Sequence, residues 1–168
     1  MSLLANRFFM ENKKRGFTLI ELLVVVAIIG LLASITLGYL GQSKSKGDDT
    51  AVKGNLDTIR SVSEIFYLDN LNSYLPLGGE NFGVGTCPTY DASGTNMLAK
   101  NPTIAAAIAE AVKRGVGSSC SNSGEAWAVA VGLKLNPGTS WCVDNAGSAK
   151  VVASVPSLAI NSGTFTCN

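Results

Sequence analysis

The chain has 168 residues, with 13 Lys and Arg against 12 Asp and Glu, 46% apolar side chains, 18 glycines and no histidine. That length fits one modest domain. The low charge with high apolar content excludes an intrinsically disordered chain, and the net charge of +1 excludes a strongly basic nucleic-acid binder. Without histidine there is no Ser-His-Asp triad, no histidine base and no histidine ligand for a catalytic zinc.

The charge is unevenly spread. Residues 1–16 carry Arg7, Lys13, Lys14 and Arg15 against Glu11 alone, a net of +3, so the rest of the chain is net −2. Residues 17–40, FTLIELLVVVAIIGLLASITLGYL, carry one charge, Glu21. As a helix this segment is ~36 Å long, enough to cross a hydrocarbon core of ~30 Å. Lys13, Lys14 and Arg15 hold the N-terminus on the cytoplasmic side, so the segment reads as a signal anchor. A cleaved secretory signal fits less well, because the apolar run is too long and no small-x-small site follows it. A buried helix of a soluble core fits least, because no other segment is large enough to surround it. Glu21 is the anomaly: a carboxylate at the centre of a membrane helix costs about 2.5–3.5 kcal/mol. It needs either a cation or a place at headgroup level.

The stretch GQSKSKGDDT over 41–50 follows, with Lys44 and Lys46 at an exit into headgroups or in a solvated stretch. Val52, Leu56, Ile59, Val62 and Phe66 then recur at steps of three and four, the stripe of an amphipathic helix. Continuous helix from Phe17 to Asp69 would make a rod of ~80 Å. Gly30, Gly38, Gly41, Gly47 and Gly54 interrupt it, each costing about 1 kcal/mol relative to Ala. They read as close helix contacts or as points that can unwind. Gly47-Asp48-Asp49-Thr50 is where the rod would break, with Asp48 or Asp49 capping a second helix in solvent.

Residues 75–96 are glycine-rich and read as one long loop. Asn101-Pro102 opens a short helix through Arg114 that Gly115 ends. Strands are expected over 127–135, ending at the Asn136-Pro137-Gly138 turn, and over 141–144, ending at Asn145-Ala146-Gly147. Lys150-Val151-Val152 and Thr164-Phe165-Thr166 are further candidate strands. The four cysteines, Cys87, Cys120, Cys142 and Cys167, all follow the apolar segment and lack a CxxC spacing. An even count in an exported domain points to two disulfides, with three connectivities open. Acidic residues are scattered and no catalytic constellation, metal set or cofactor motif appears. The basic residues after Phe17 form no dense patch, Lys113-Arg114 being the only adjacent pair. DNA binding by a single copy therefore has little support, although a polymer multiplies weak sites.

The run Lys13-Lys14-Arg15-Gly16-Phe17-Thr18-Leu19-Ile20-Glu21, followed by a long apolar helix, resembles the leader of type IV prepilins and pseudopilins. The resemblance is close over residues 10–40 and architectural beyond about residue 75. It implies an α+β pilin fold, a long N-terminal helix packed on a small antiparallel sheet. It divides the chain into a leader (1–16), a membrane and assembly half of the helix (17–40), an amphipathic half (41–70) and a disulfide-stapled head (71–168). It implies cleavage between Gly16 and Phe17 by a membrane aspartyl prepilin peptidase, with N-methylation of Phe17. Glu21 would then meet the α-ammonium of Phe17, in its own chain or in a neighbour's, where the contact would fix filament register. In the family a stretch between a glycine and a proline of this helix often loses helicity in the filament. Gly30 matches that glycine, but the chain has no proline before Pro76, and Gly38 stands near the proline's place.

The pairing expected is Cys87–Cys120, closing the glycine-rich region, with Cys142–Cys167 tying the C-terminal tail to a strand, as a terminal loop is tied in many pilins. Calcium, bound near the equivalent of Asp144 in many type II secretion pseudopilins, has too few ligands here. The resemblance implies a structural subunit rather than an enzyme. It would be a pilus subunit serving adhesion, motility or DNA uptake, the alternative being a pseudopilin of a type II secretion system. Its partners would be other copies of itself, the prepilin peptidase, an inner-membrane assembly platform and lipid before assembly. It would lie first in the inner membrane with its N-terminus in the cytoplasm, then in an extracellular filament. A single-pass membrane-anchored enzyme or binding protein accounts for neither the leader nor the missing catalytic set.

Overall fold

The computed structural model describes residues 16–168, which fall into two units, 16–40 and 41–168. The basic cluster Lys13, Lys14 and Arg15 lies outside the described residues. A single helix, α1 (Leu19–Asp69), provides all the described secondary structure of the first unit and opens the second. It is helical through Gly30, Gly38, Gly41, Gly47 and Gly54, so the break expected at Gly47-Asp48 does not occur.

In the second unit α1 is followed by β1 (Phe82–Gly85), α2 (Met97–Lys100), α3 (Pro102–Arg114), β2 (Val116–Asn122), β3 (Trp127–Gly132), β4 (Ser140–Asp144) and β5 (Ala149–Val152), then a short 3₁₀ turn at Pro156–Leu158. The five strands form one antiparallel meander in chain order. The architecture is α+β, a long N-terminal helix with a small antiparallel sheet.

The stripe on α1 becomes the seam of the core. Val52, Leu56, Ile59 and Ser63 are fully buried, with Val62 and Phe66 partly so. Burial of each aliphatic side chain contributes about 1.5–3 kcal/mol. The central strand β3 is buried along its whole length, so its two faces have different partners. Trp127, Val129 and Val131 join the core with α1, α2 and α3. Ala128 and Ala130 form a second cluster with Ala159, Ile160 and the Cys142–Cys167 pair. The small side chains on that face let the C-terminal segment lie close to the sheet. Gly132, which ends β3, is needed because any Cβ there would run into the Val116 carbonyl oxygen across the ladder.

Helix α3 has the start and stop expected. The Asn101 Oδ1 accepts from the Thr103 and Ile104 N–H groups at 3.0 and 3.1 Å, Pro102 takes the first position, and Gly115 follows the last.

Three expectations need correction. The 75–96 segment contains β1, which pairs with β2 as Phe82↔Asn122 and Gly85↔Cys120. Thr164-Phe165-Thr166 is not a strand: Phe165 has φ 55°, a left-handed conformation incompatible with a ladder, and the tail makes one isolated bridge, Ile160↔Cys167. Asp48 and Asp49 are not a solvated cap. They lie inside α1 and are only 7% and 6% exposed.

Candidate functional site

The start of α1 is built by a reciprocal side-chain cap. Helix N-termini leave backbone N–H groups without intrahelical acceptors. Here Thr18 precedes the first helical residue and Glu21 stands three positions later, the spacing of a capping box. The Thr18 N–H and hydroxyl both donate to Glu21 Oε2, at 2.9 and 2.7 Å, and the Glu21 N–H donates back to Thr18 Oγ1 at 3.3 Å. Glu21 is thus held by its own helix. Among the described residues its second oxygen, Oε1, takes no hydrogen bond. Gly16 and Phe17 precede the helix in irregular, exposed backbone, Phe17 being 82% exposed.

Every described side chain from Phe17 to Leu40 is exposed, including Leu19, Ile20, Leu23, Ile29, Leu31 and Leu40. This surface has length and composition enough to cross a membrane. Its few hydroxyls do not spoil that property, because Ser34 donates to the Leu31 carbonyl at 2.8 Å and Thr36 to the Ala33 carbonyl at 3.0 Å. Polar groups satisfied by the helix's own backbone carry a reduced desolvation penalty. Gly30 and Gly38 sit within this helix.

The second unit carries a polar anchor that the sequence does not reveal. Asp49 accepts from the backbone N–H groups of Lys134 and Leu135, at 2.7 and 3.1 Å. Asp48 meets Arg114 at 3.4 Å, at the end of α3. The two carboxylates thereby tie α1 to the β3–β4 turn and to α3. Lys134 hydrogen-bonded to Asp48, with Arg114 beyond, holds that carboxyl below the usual carboxylate range against the opposing effect of burial.

The cysteines form Cys87–Cys120 and Cys142–Cys167. The first fixes the segment after β1 to β2, and the second fixes the C-terminal tail to β4. Asp144 is 1% exposed, and both its oxygens are engaged by backbone donors, Oδ1 by the Ser148 N–H at 2.8 Å and Oδ2 by the Cys167 N–H at 2.9 Å. It therefore serves the tail, and among the described residues no group of three or more potential ligands could hold a metal. The first unit thus holds Gly16, Phe17, Glu21, Gly30 and Gly38, and the second holds the four cysteines.

The family model of the prokaryotic N-terminal methylation motif matches residues 12–37. The chain is similar to the type IV wide pilus major component PilA4 of Thermus thermophilus, 43% identical over 65 residues, which are 39% of this chain and 48% of that protein. It is similar to the type IV major alpha-pilin of Moraxella bovis, 33% identical over 92 residues, 52% of this chain and 58% of that protein. It is also similar to the type II secretion system core protein G of Dickeya chrysanthemi, 38% identical over 61 residues, 36% of this chain and 40% of that protein. The chain thus spans about half the length of the curated relatives it matches. No solved structure matches it. By its motif and its relatives, the chain carries the N-terminal methylation signal and shares homologous sequence with type IV pilins and type II secretion core proteins.

Proposed function

We propose that this protein is the structural subunit of a type IV pilus and that it polymerises through the first half of α1. The observation that carries the reading is the exposed apolar helix surface after Phe17, headed by one carboxylate and lying for the most part within the methylation motif of residues 12–37. In the precursor that surface is covered by lipid, and in the polymer by the helices of other copies. The prepilin peptidase cuts between Gly16 and Phe17, where an exposed glycine lets a protease approach the backbone. It methylates the new Phe17 amine, and an inner-membrane platform then draws the subunit into the filament.

Cleavage creates an α-ammonium at Phe17, and an isolated charge among apolar helices is prohibitive. Glu21 supplies the opposite sign. Because Thr18 occupies Oε2, the remaining oxygen Oε1 is available to the ammonium of an adjacent copy, and that pairing sets the axial register. Gly30 and Gly38 are where α1 loses helicity within the filament.

A pseudopilin of a type II secretion system is the second reading, favoured by the similarity to core protein G. Electron microscopy of filaments sheared from cells, with mass spectrometry of their main protein, separates the two. The pilus reading expects abundant surface filaments made of this chain, beginning at Phe17 with a methylated amine. Sheared filaments that lack this chain would refute it.

A further inference from the structure

One end of the second unit differs in character from the rest. It is the end at which the chain enters, at Gly41. Gln42, Ser43, Lys44 and Lys46 are exposed there on α1. Just beyond them, Asp48 binds Arg114 and Asp49 binds the Lys134 and Leu135 N–H groups, so the end of α3 and the β3–β4 turn are held at the same place. Leu135 lines one open hollow with Gln42, Ser43 and Lys46. Val116, Pro137 and Val155 line the next one with Lys134. Leu135, Val116 and Val155 are 41%, 58% and 45% exposed, so this end presents apolar side chains to its surroundings.

The same end holds the unit's positive charge. Lys113, Arg114 and Lys134 are matched in number by Glu110, Asp48 and Asp49, and they pair with the first two of these. Lys44 and Lys46 have no carboxylate partner among the described residues. They are the excess at this end, whereas the rest of the unit carries seven acidic side chains against four basic ones. Unpaired ammonium groups beside exposed apolar side chains suit a membrane interface. The apolar parts enter the headgroup boundary, and the ammonium groups meet phosphates.

We infer that this face, led by Lys44, Lys46 and Leu135, rests on the anionic phospholipid headgroups of the membrane that residues 17–40 enter. Lys44 and Lys46 stand four and six residues beyond Leu40, where the apolar segment ends. Even a fully extended chain keeps them within ~22 Å of that point. Lipid is the occupant because the chain itself delivers this face to the bilayer surface, and because the excess charge of the face is opposite to that of an anionic leaflet. The inference rests on the membrane-anchored precursor of the pilus reading. It adds to the span a second lipid contact, made by the second unit, which holds that unit at the bilayer before assembly and breaks when the subunit leaves the lipid.

The test uses the full chain, disulfides intact, reconstituted in lipid vesicles with a spin-labelled lipid headgroup as quencher. A fluorophore is placed on Asn136→Cys, beside Leu135, or on Leu77→Cys, beyond the other end of α1. In vesicles of phosphatidylcholine and phosphatidylglycerol in equal parts, the first site should be quenched and the second should not. Quenching should fall in phosphatidylcholine alone. It should also fall in Lys44→Gln with Lys46→Gln, whose contact should weaken about thirtyfold, at about fivefold per lysine. Lys44→Arg with Lys46→Arg should keep it. Equal quenching at the two sites, or quenching at Asn136→Cys that ignores both the lipid charge and the two glutamines, would overturn the inference. A label at Asn136→Cys that an aqueous quencher reaches in vesicles but not in purified filaments would also overturn it, and would make the face a contact between copies. These outcomes leave the pilus reading intact. Unmodified chain that does not float with the vesicles would instead refute the membrane anchor, and this contact with it.

Discussion

Lys134 is divided between two consecutive carboxylates. Its Nζ lies 2.9 Å from Asp48 Oδ2, and its backbone N–H donates to Asp49 Oδ1. One turn of loop is thereby fixed by a charge pair and by a backbone bond that depends on no particular side chain at position 134. The two bonds respond differently to substitution and to pH.

Asp49→Ala removes the acceptor of two backbone donors in a part-buried setting. An orphaned buried donor costs about 1–3 kcal/mol, so the variant should lose about 2–4 kcal/mol of unfolding free energy. Lys134→Met, which keeps the backbone donor, should lose less. Chemical denaturation of the oxidised second unit in detergent-solubilised full chain checks the order, and equal losses would contradict it.

Asp48 gives a pH dependence with a definite sign. Its folded-state pKa is lowered by Lys134, so its contribution is fully present above the ordinary carboxylate value of 3.8 and is lost as pH falls through the depressed folded value. The stability difference between the unmodified protein and Asp48→Asn should be constant near neutrality and shrink in acid. A difference that grew on acidification would show that the Asp48 pKa is raised instead.

The disulfides close segments of sequence separation 33 and 25. Loss of either should cost about 2–5 kcal/mol. Cys142→Ser with Cys167→Ser should also free the tail, because the Asp144–Cys167 bond and the Ile160↔Cys167 bridge lie at the same point. Hydrogen exchange should show loss of protection over 159–168 in that variant, while β1 and β2 stay protected. Uniform loss across the sheet would contradict a local role for this tie.

What could be read in the sequence follows the range of each interaction. Asn101, Pro102 and Gly115 announce α3 because a cap and its helix are neighbours in sequence. Val52, Leu56 and Ile59 announce a core face by periodicity alone. Thr18 and Glu21 stand at capping-box spacing, a local signal that the reading of Glu21 as a charge in search of a cation passed over. The strands β1, FGVG, and β2, VGSSCSN, were not, because glycine and serine carry little strand propensity and their pairing is decided by the neighbouring β3. The anchoring role of Asp49 was hidden because its partners lie 85 and 86 residues away. Thr164-Phe165-Thr166 has strand-like composition, but the Cys167 tie and the Asn161 turn, where Asn161 Oδ1 accepts from the Gly163 and Thr164 N–H groups, impose a different backbone.

Thr18→Val keeps the size of the side chain and removes the hydroxyl that holds Glu21 Oε2. The helix start should fray, and the carboxylate should lose its fixed orientation. Loss of a capping side chain costs about 0.5–2 kcal/mol. Filaments of this variant should still form but dissociate at lower temperature than unmodified ones. Unchanged dissociation would mean that Thr18 does not orient Glu21 in the polymer.

The most direct test of the account is the filament yield of Glu21→Gln, which keeps the shape of the side chain and removes its charge. The variant should be cleaved after Gly16 and keep a native second unit with both disulfides. Its filament yield should fall at least about tenfold, because a buried Phe17 ammonium left without its counter-charge costs several kcal/mol. Processed Glu21→Gln protein assembling at the unmodified yield would contradict the register role of Glu21 and leave the carboxylate as a helix cap alone.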